Sequence, residues 1–210
     1  MYTILFALAC TFADVRLPAT LVDSPPVPIE QTDANTGRIG GARYQDLGRP
    51  WLPTGKNVGR AGSEWQSSAY SFFWTGARSI RGTCIAHVKA SAVGPVVAVE
   101  ESMLECAARD DDWALDVDAR GRQVVGSLVI RKGAPVPVEG VFELQNGYGS
   151  SQLIGYALGP NGALSMLDSP HVWYLNGAGA EERDAIGAAA VALIRWSDTQ
   201  ATMLDVLAVD

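Results

Sequence analysis

The C-terminal stretch from Ala188 to Val209 is the feature that most restricts the fold. It consists of the apolar run AAAVALIRW, the polar break SDTQ and a second apolar run, ATMLDVLAV. Two apolar runs on either side of a short polar break are typical of a β-hairpin. If Trp196 pairs with Ala201, Leu193 faces Leu204 and the aliphatic side chains share one face, which a one-residue slip would destroy. The pattern therefore predicts two antiparallel strands at the end of the chain.

Further apolar segments bounded by turn residues indicate more strands in the second part of the chain. Val141 to Leu167 repeats the hairpin pattern around the turn signal GPNG. In Trp113 to Asp118 apolar and acidic residues alternate, so the acidic side chains are expected to face water. We expect a mainly β protein, with an antiparallel β-sandwich over residues 61–210. Residues 180–190 contain helix formers as well as a glycine, so both helix and strand stay open there.

Residues 1–60 differ from the rest in composition, and we expect them to form an extended arm. Met1 to Phe12 is apolar, too short to span a bilayer and not preceded by a basic residue, so a cleaved signal peptide is not expected. We expect an apolar strand there, followed by a proline-rich and glycine-rich segment that grips neighbouring subunits. The basic residues of the arm, which a solvated loop would also explain, are expected to contact an acidic partner surface. They include Arg38, Arg43 and Arg49.

The overall charge limits the classes of partner and cofactor. The net charge of −7 argues against nucleic acid, because binding to phosphates needs clustered Lys and Arg.

Of the three cysteines, Cys84 and Cys106 form either a disulfide or two buried thiols, and the thiols are the expected state. The chain has no CxxC spacing, so zinc is not expected. With 48% hydrophobic residues, the chain can form a substantial core.

Aromatic residues are concentrated in Glu64 to Arg78, which reads EWQSSAYSFFWTGAR. We interpret this segment as a core strand, with Phe72 inside, because alternating aromatic residues fill β-sheet interiors. The alternative is a stacking platform for sugar rings. The candidate residues for such a platform are Trp65, Trp74 and Trp173.

Acidic residues are concentrated in the run DDD at 110–112 and again at Asp116 and Asp118. A solvated acidic turn is the expected interpretation. The alternative is a Ca²⁺ site with Asp110 and Asp112 as ligands, since Ca²⁺ takes oxygen ligands from loops. The spacing fits no EF-hand, and no other cofactor is expected.

Motifs of known enzyme classes are missing from the sequence. No GxSxG, HExxH, P-loop or GxGxxG motif occurs in a usable context. The two histidines, His87 and His171, leave few combinations for Ser/His/Asp catalysis. A pair of carboxylates for glycoside hydrolysis, such as Glu100 or Glu101 with Asp116, is present in the chain, but no motif selects it. We therefore expect a protein that is not an enzyme.

From about Trp113 to its end the chain resembles the laminin-G/concanavalin-type jelly-roll β-sandwich. The segments that carry the resemblance are WALDVDA, VFELQNGYGSSQLIGYALGPNGALSML and AAVALIRWSDTQATMLDVLAVD. They are similar to a hairpin and a late strand pair of that family, whereas its calcium-binding residues have no matching motif here. The resemblance implies a module of the kind found on glycan-binding and adhesion proteins and on phage tail and virion proteins.

The function expected from these observations is that of a structural or adhesion subunit of a larger assembly, most directly a phage virion or tail. Its expected partners are copies of itself, other subunits of the assembly and surface glycan, without nucleic acid and without a membrane span. A carbohydrate-binding module is the alternative, and a glycan-cleaving enzyme comes third. We expect the protein in a virion or an extracellular assembly, after synthesis in the cytoplasm without a cleaved signal peptide.

Overall fold

The structure is a computed structural model that describes residues 17–47, 63–93, 96–109, 112–121, 123–144, 151–166 and 169–207. In these residues twelve antiparallel strands form a closed barrel around a single long helix, α1, which spans Ala180–Leu207. A short 3-10 turn, Ala19–Leu21, precedes the first strand. The strands in chain order are β1 Val27–Gln31, β2 Thr36–Ile39, β3 Ala42–Asp46, β4 Ser63–Thr75, β5 Ser79–Val93, β6 Val96–Ala108, β7 Trp113–Arg120, β8 Gln123–Ile130, β9 Val136–Leu144, β10 Ser151–Leu158, β11 Gly162–Ser165 and β12 His171–Tyr174.

The barrel wall follows the order of the strands in the chain. Each strand pairs with its neighbours in sequence, and β1 closes the barrel by pairing with β12, where Val27 lies opposite Val172. Successive side chains point alternately into the barrel and out of it. In β7 the residues Trp113, Leu115 and Val117 are buried, while Asp116 and Asp118 on the other face are exposed. The alternation predicted for this segment is confirmed.

The buried cysteines lie directly opposite each other on β5 and β6. Cys84 and Cys106 form a disulfide with a Cα–Cα distance of 4.1 Å. The expectation of two free thiols is therefore wrong. In the chain-entropy model a crosslink over a loop of this length stabilises the folded state by about 3 kcal/mol.

The interior of the barrel is filled by α1. Every residue from Asp184 to Leu193 is buried, and the helix contacts strands around the whole barrel, from β3 to β6, β8 and β10 to β12. A helix that is buried on all sides has to be apolar all round, which the run of alanine, valine and leucine at 188–193 provides. The small alanine side chains let a helix and large aromatic wall residues occupy the same interior.

Aromatic residues of the wall hold α1 in place with hydrogen bonds. The Tyr70 hydroxyl donates to the carbonyl of Ala192 at 2.6 Å, and the indole N–H of Trp113 donates to the carbonyl of Ala185 at 3.1 Å. Complete burial raises the pKa of Tyr70 well above its usual value, so the hydroxyl keeps its proton and remains a donor. These contacts fix the rotation of α1 and its position along the barrel axis.

The predicted β-sandwich and the predicted C-terminal hairpin are both wrong. Residues 188–207 belong to α1, so Leu193 is buried on a helix and has no cross-strand partner. The resemblance to the laminin-G/concanavalin jelly roll is also wrong, because the strands close into one barrel and do not form two packed sheets. The expectation of a phage tail or adhesion module loses its structural basis with that resemblance.

The described part of residues 1–60 forms barrel strands and not the expected extended arm. Residues 17–47 contain β1, β2 and β3, which complete the barrel wall, while residues 1–16 and 48–60 lie outside the described part. The hairpin between β2 and β3 turns at Gly40 and Gly41, where Gly40 has a φ of 60° that favours glycine. These strands are only four or five residues long, which is too short for a clear alternation in the sequence.

Candidate functional site

An open groove lies on the outer wall of the barrel across β2, β3 and β4. Its volume is about 450 Å³, and it contains two of the three arginines that the sequence had suggested as partner contacts. The third, Arg49, lies outside the described residues. We call this site the arginine groove, and it is lined by Thr32, Thr36, Gly37, Arg38, Arg43, Tyr44, Gln45, Phe73 and Thr75.

The two arginines of the groove lie directly opposite each other on adjacent strands. Arg38 on β2 lies opposite Arg43 on β3, and both residues are exposed. Among the described residues neither guanidinium forms an ion pair or a hydrogen bond, although Glu30 on β1 lies opposite Arg38. Like charges directly opposite in an antiparallel pair destabilise the sheet. A bound anionic group would remove this repulsion.

The remainder of the groove is aromatic and polar. Phe73 is half-buried and lines the groove together with the arginines, which adds an apolar surface to it. Asp33, in the turn between β1 and β2, accepts hydrogen bonds from the backbone N–H groups of Asn35 and Thr36 and from the Thr36 hydroxyl. These bonds, led by the one from the Thr36 hydroxyl, lower the pKa of Asp33. The carboxylate thus stabilises its own turn, and the groove remains basic.

A patch of opposite charge lies on another wall, across β6, β7 and β8. Glu105 lies opposite Asp116, and Asp118 follows on the same side of β7, beside a shallow groove of about 260 Å³. Partial burial, together with the charges of Glu105 and Asp118, raises the pKa of Asp116. We call Glu105, Asp116, Asp118 and the adjacent Val125 the acidic patch.

Val125 is the exposed apolar residue of the acidic patch. Its exposed fraction is 57%, the second highest among the large hydrophobic residues that the structure describes as exposed. It lies opposite Asp118 on β7 and opposite Glu139 on β9, so carboxylates flank it on both sides. Within the described part of the chain neither of these two carboxylates takes part in an ion pair. The patch therefore combines an exposed apolar side chain with uncompensated negative charge on both sides of it.

The candidate calcium ligands do not form a metal site in the described residues. Asp110 lies outside them, and both carboxylate oxygens of Asp112 accept hydrogen bonds at 2.6 Å from the guanidinium of Arg78. No group of three or more His, Cys, Asp or Glu side chains in the described ranges is arranged to hold a metal ion.

The three tryptophans suggested for sugar stacking lie in different surroundings. Trp65 is 42% exposed on the outside of β4, and Trp173 is half-buried on β12, four strand positions away around the barrel. Trp74 is buried inside, where its indole N–H donates to Asp184 on α1 at 2.9 Å. The structure does not bring the three rings together into one platform. The predicted core position of Phe72 is confirmed, since it is completely buried.

The candidate catalytic groups are also dispersed. Ser67 Oγ lies 2.7 Å from His87 Nδ1 on the outer wall, but no described carboxylate bonds to that imidazole, so it lacks the third member of a triad. His171 begins β12 and lies beside Trp173. Glu100 and Glu101 both pair with Lys89, at 3.2 and 3.4 Å, and Glu105 is the residue that lies opposite Asp116. The carboxylate pair considered for glycoside hydrolysis is therefore not assembled across one groove.

Comparison with known proteins gives no relative from which a function could be transferred. No family model, curated protein or solved structure matches this chain. The described residues include no helix with the length and apolar character needed to cross a bilayer. The interpretation of the arginine groove therefore depends on its own geometry.

Sequence reasoning identified the arginines but not the surfaces to which they belong. Arg38 and Arg43 were selected because basic residues stand out in an acidic chain, whereas Phe73 was assigned to the core segment as a whole. The acidic patch was not predicted, because the pairing of Glu105 with Asp116 depends on the register of β6 and β7. The alternation within β7 did show that Asp116 and Asp118 face outward, and this was the available signal.

Proposed function

We propose that this chain is a non-enzymatic subunit of a larger assembly, which binds an acidic surface of its partner in the arginine groove. The observation that carries the proposal is the direct opposition of Arg38 and Arg43 without an ion pair in an open groove. Guanidinium groups donate fixed pairs of hydrogen bonds to carboxylates, so two adjacent arginines recognise closely spaced carboxylates well. Phe73, on the neighbouring strand β4, provides an apolar contact beside them.

The barrel interior supports a binding function at the outer wall. Helix α1 occupies the space in which many barrels hold a ligand, and wall residues such as Trp74 and Trp113 pack around it. A partner therefore has to bind at the outer surface or at the ends of the barrel. Carbohydrate binding is the second candidate, and the exposure of Trp65 favours it.

A peptide titration followed by NMR tests the proposed function. The probe is acetyl-Asp-Val-Glu-amide, which carries two carboxylates around one aliphatic side chain, and the charge-reversed probe is acetyl-Lys-Val-Lys-amide. The acidic peptide should shift the backbone amide signals of residues 36–45 in a saturable manner, and about 0.5 M NaCl should weaken its binding. The basic peptide should leave these signals unchanged.

Matched variants separate binding in the groove from general attraction. Arg43→Gln removes one of the two guanidinium groups and should reduce the affinity for the acidic peptide about tenfold, while the exposed Arg109→Gln in the turn after β6 should not. Both substitutions lie on the surface and should leave the fold intact. Equal affinities of Arg43→Gln and the unchanged protein would contradict the proposal, and so would shifts confined to another wall.

A further inference from the structure

We infer that the partner bound in the arginine groove is a second copy of this chain, which contributes its acidic patch. This inference rests on the proposed function of the groove. Each surface has what the other lacks: Arg38 and Arg43 have no anionic partner, and Asp116 and Asp118 have no cationic partner among the described residues. Complementary charges of this kind direct association and exclude other partners.

Each surface also has an apolar side chain beside its charges. The arginine groove, with a volume of about 450 Å³, is lined by Phe73 as well as by Arg38 and Arg43. In the acidic patch Val125 is exposed, and Asp118 and Glu139 lie opposite it on the two neighbouring strands. If Val125 enters the groove, its isopropyl group contacts Phe73 while the flanking carboxylates reach the arginines. Apolar contact and charge pairing would then form together.

The positions of the two surfaces on the barrel determine which type of oligomer these contacts form. Twelve strands share the circumference, so each step corresponds to about 30°, and β3 and β8, which are five steps apart, face directions that differ by about 150°. A neighbour related by a two-fold axis therefore cannot contact both the arginine groove and the acidic patch of the same chain. The contact is heterologous, and repetition of it produces an open chain or a large ring of subunits.

The first test is sedimentation velocity of the full chain over a series of concentrations at about 0.05 M and about 0.5 M NaCl. The protein should form species larger than dimers at low salt and dissociate at high salt. Arg43→Glu in the groove and Asp118→Arg in the patch should each abolish association when studied alone. Arg109→Glu, an exposed charge reversal outside both surfaces, should associate as the unchanged protein does.

Mixing the two non-associating variants tests the polarity of the contact. Arg43→Glu retains an intact patch, and Asp118→Arg retains an intact groove, so a mixture contains one functional pair of surfaces. The mixture should regain association through this pair, while each variant alone stays monomeric. A mixture that stays monomeric would overturn the inference.

The outcome also separates this inference from the proposed function. If the unchanged chain is monomeric under all conditions and the acidic peptide still binds the groove, the partner is a different acidic protein and only the self-association is wrong. If the acidic peptide does not bind either, both proposals are wrong. Circular dichroism of each variant confirms that a loss of association does not reflect unfolding.

Discussion

At the scale of single residues, Phe72 and Phe73 show how the barrel wall separates stability from binding. The two residues are adjacent in β4 and point to opposite sides of the wall. Phe72 is completely buried and contacts the Trp113 ring edge-on at 5.9 Å, whereas Phe73 lines the arginine groove. Phe72→Ala should lower the free energy of unfolding by about 3–5 kcal/mol. Phe73→Ala should lower it clearly less and weaken binding of the acidic peptide, and equal losses in urea unfolding would contradict this assignment.

The titration of Asp116 gives a second prediction at this scale. Burial, then the charges of Glu105 and Asp118, raise the pKa of this carboxyl above its ordinary value of 3.8. The folded chain therefore binds more protons than the unfolded chain just above pH 3.8, and the stability contributed by this group is lost as the pH rises through that range. Asp116→Asn should raise the urea midpoint of the dilute protein at pH 7, and the gain should vanish below pH 3.8. Identical midpoints at pH 7 would show that the repulsion is not present.

At the scale of elements, the sequence predicted those strands that have one buried face and one face exposed to solvent. In β7 the buried residues Trp113, Leu115 and Val117 alternate with less buried ones, among them Asp116 and Asp118, and the strand forms as expected. Helix α1 has no polar face over residues 185–193, because wall residues surround it, so no helical period marks it in the sequence. The same apolar run agrees equally well with a buried strand. The arginine groove was predictable to the same limited extent. The sequence identified Arg38 and Arg43 as candidate contacts, but that they lie opposite each other depends on the register between β2 and β3.

Gly187 gives a prediction about how α1 fits its barrel. Alanine normally stabilises a helix by about 1 kcal/mol relative to glycine. At Gly187, however, a Cβ atom would overlap the Trp74 ring, which is itself fixed by its bond to Asp184. Gly187→Ala should therefore lower the thermal unfolding midpoint in spite of its better helix propensity. Gly179→Ala is the matched control, because nothing lies within 4 Å of its Cβ position, and it should change stability by about 0.5 kcal/mol or less.

At the scale of the whole molecule, the barrel depends on contacts between distant parts of the chain. The wall closes between β1 and β12, where Val27 lies opposite Val172, and the helix that fills it is the last described element. Contacts this far apart in sequence make folding slow, since the loop-closure entropy is lost before the contacts form. The wall and the helix also lack separate cores: the buried faces of Tyr70, Trp74 and Trp113 all contact or bond to α1. The molecule should therefore fold as one cooperative unit.

Truncation of the chain after Gly179 tests this dependence. The shortened chain retains all twelve described strands but loses α1, so the wall residues that contact the helix would line an empty interior. A cavity of that size costs far more than the stability of an ordinary domain, and the tyrosine and tryptophan donors would lose their acceptors. The truncated chain should give no near-UV circular dichroism signal and should show no cooperative thermal transition. In the full chain, Leu193→Asp should have a similar effect because it places a charge in the interior, while the exposed Arg183→Gln on the same helix should not. A truncated chain with a cooperative transition would show that the wall is stable without its helix, and the interior contacts of α1 would then not be what holds the barrel together.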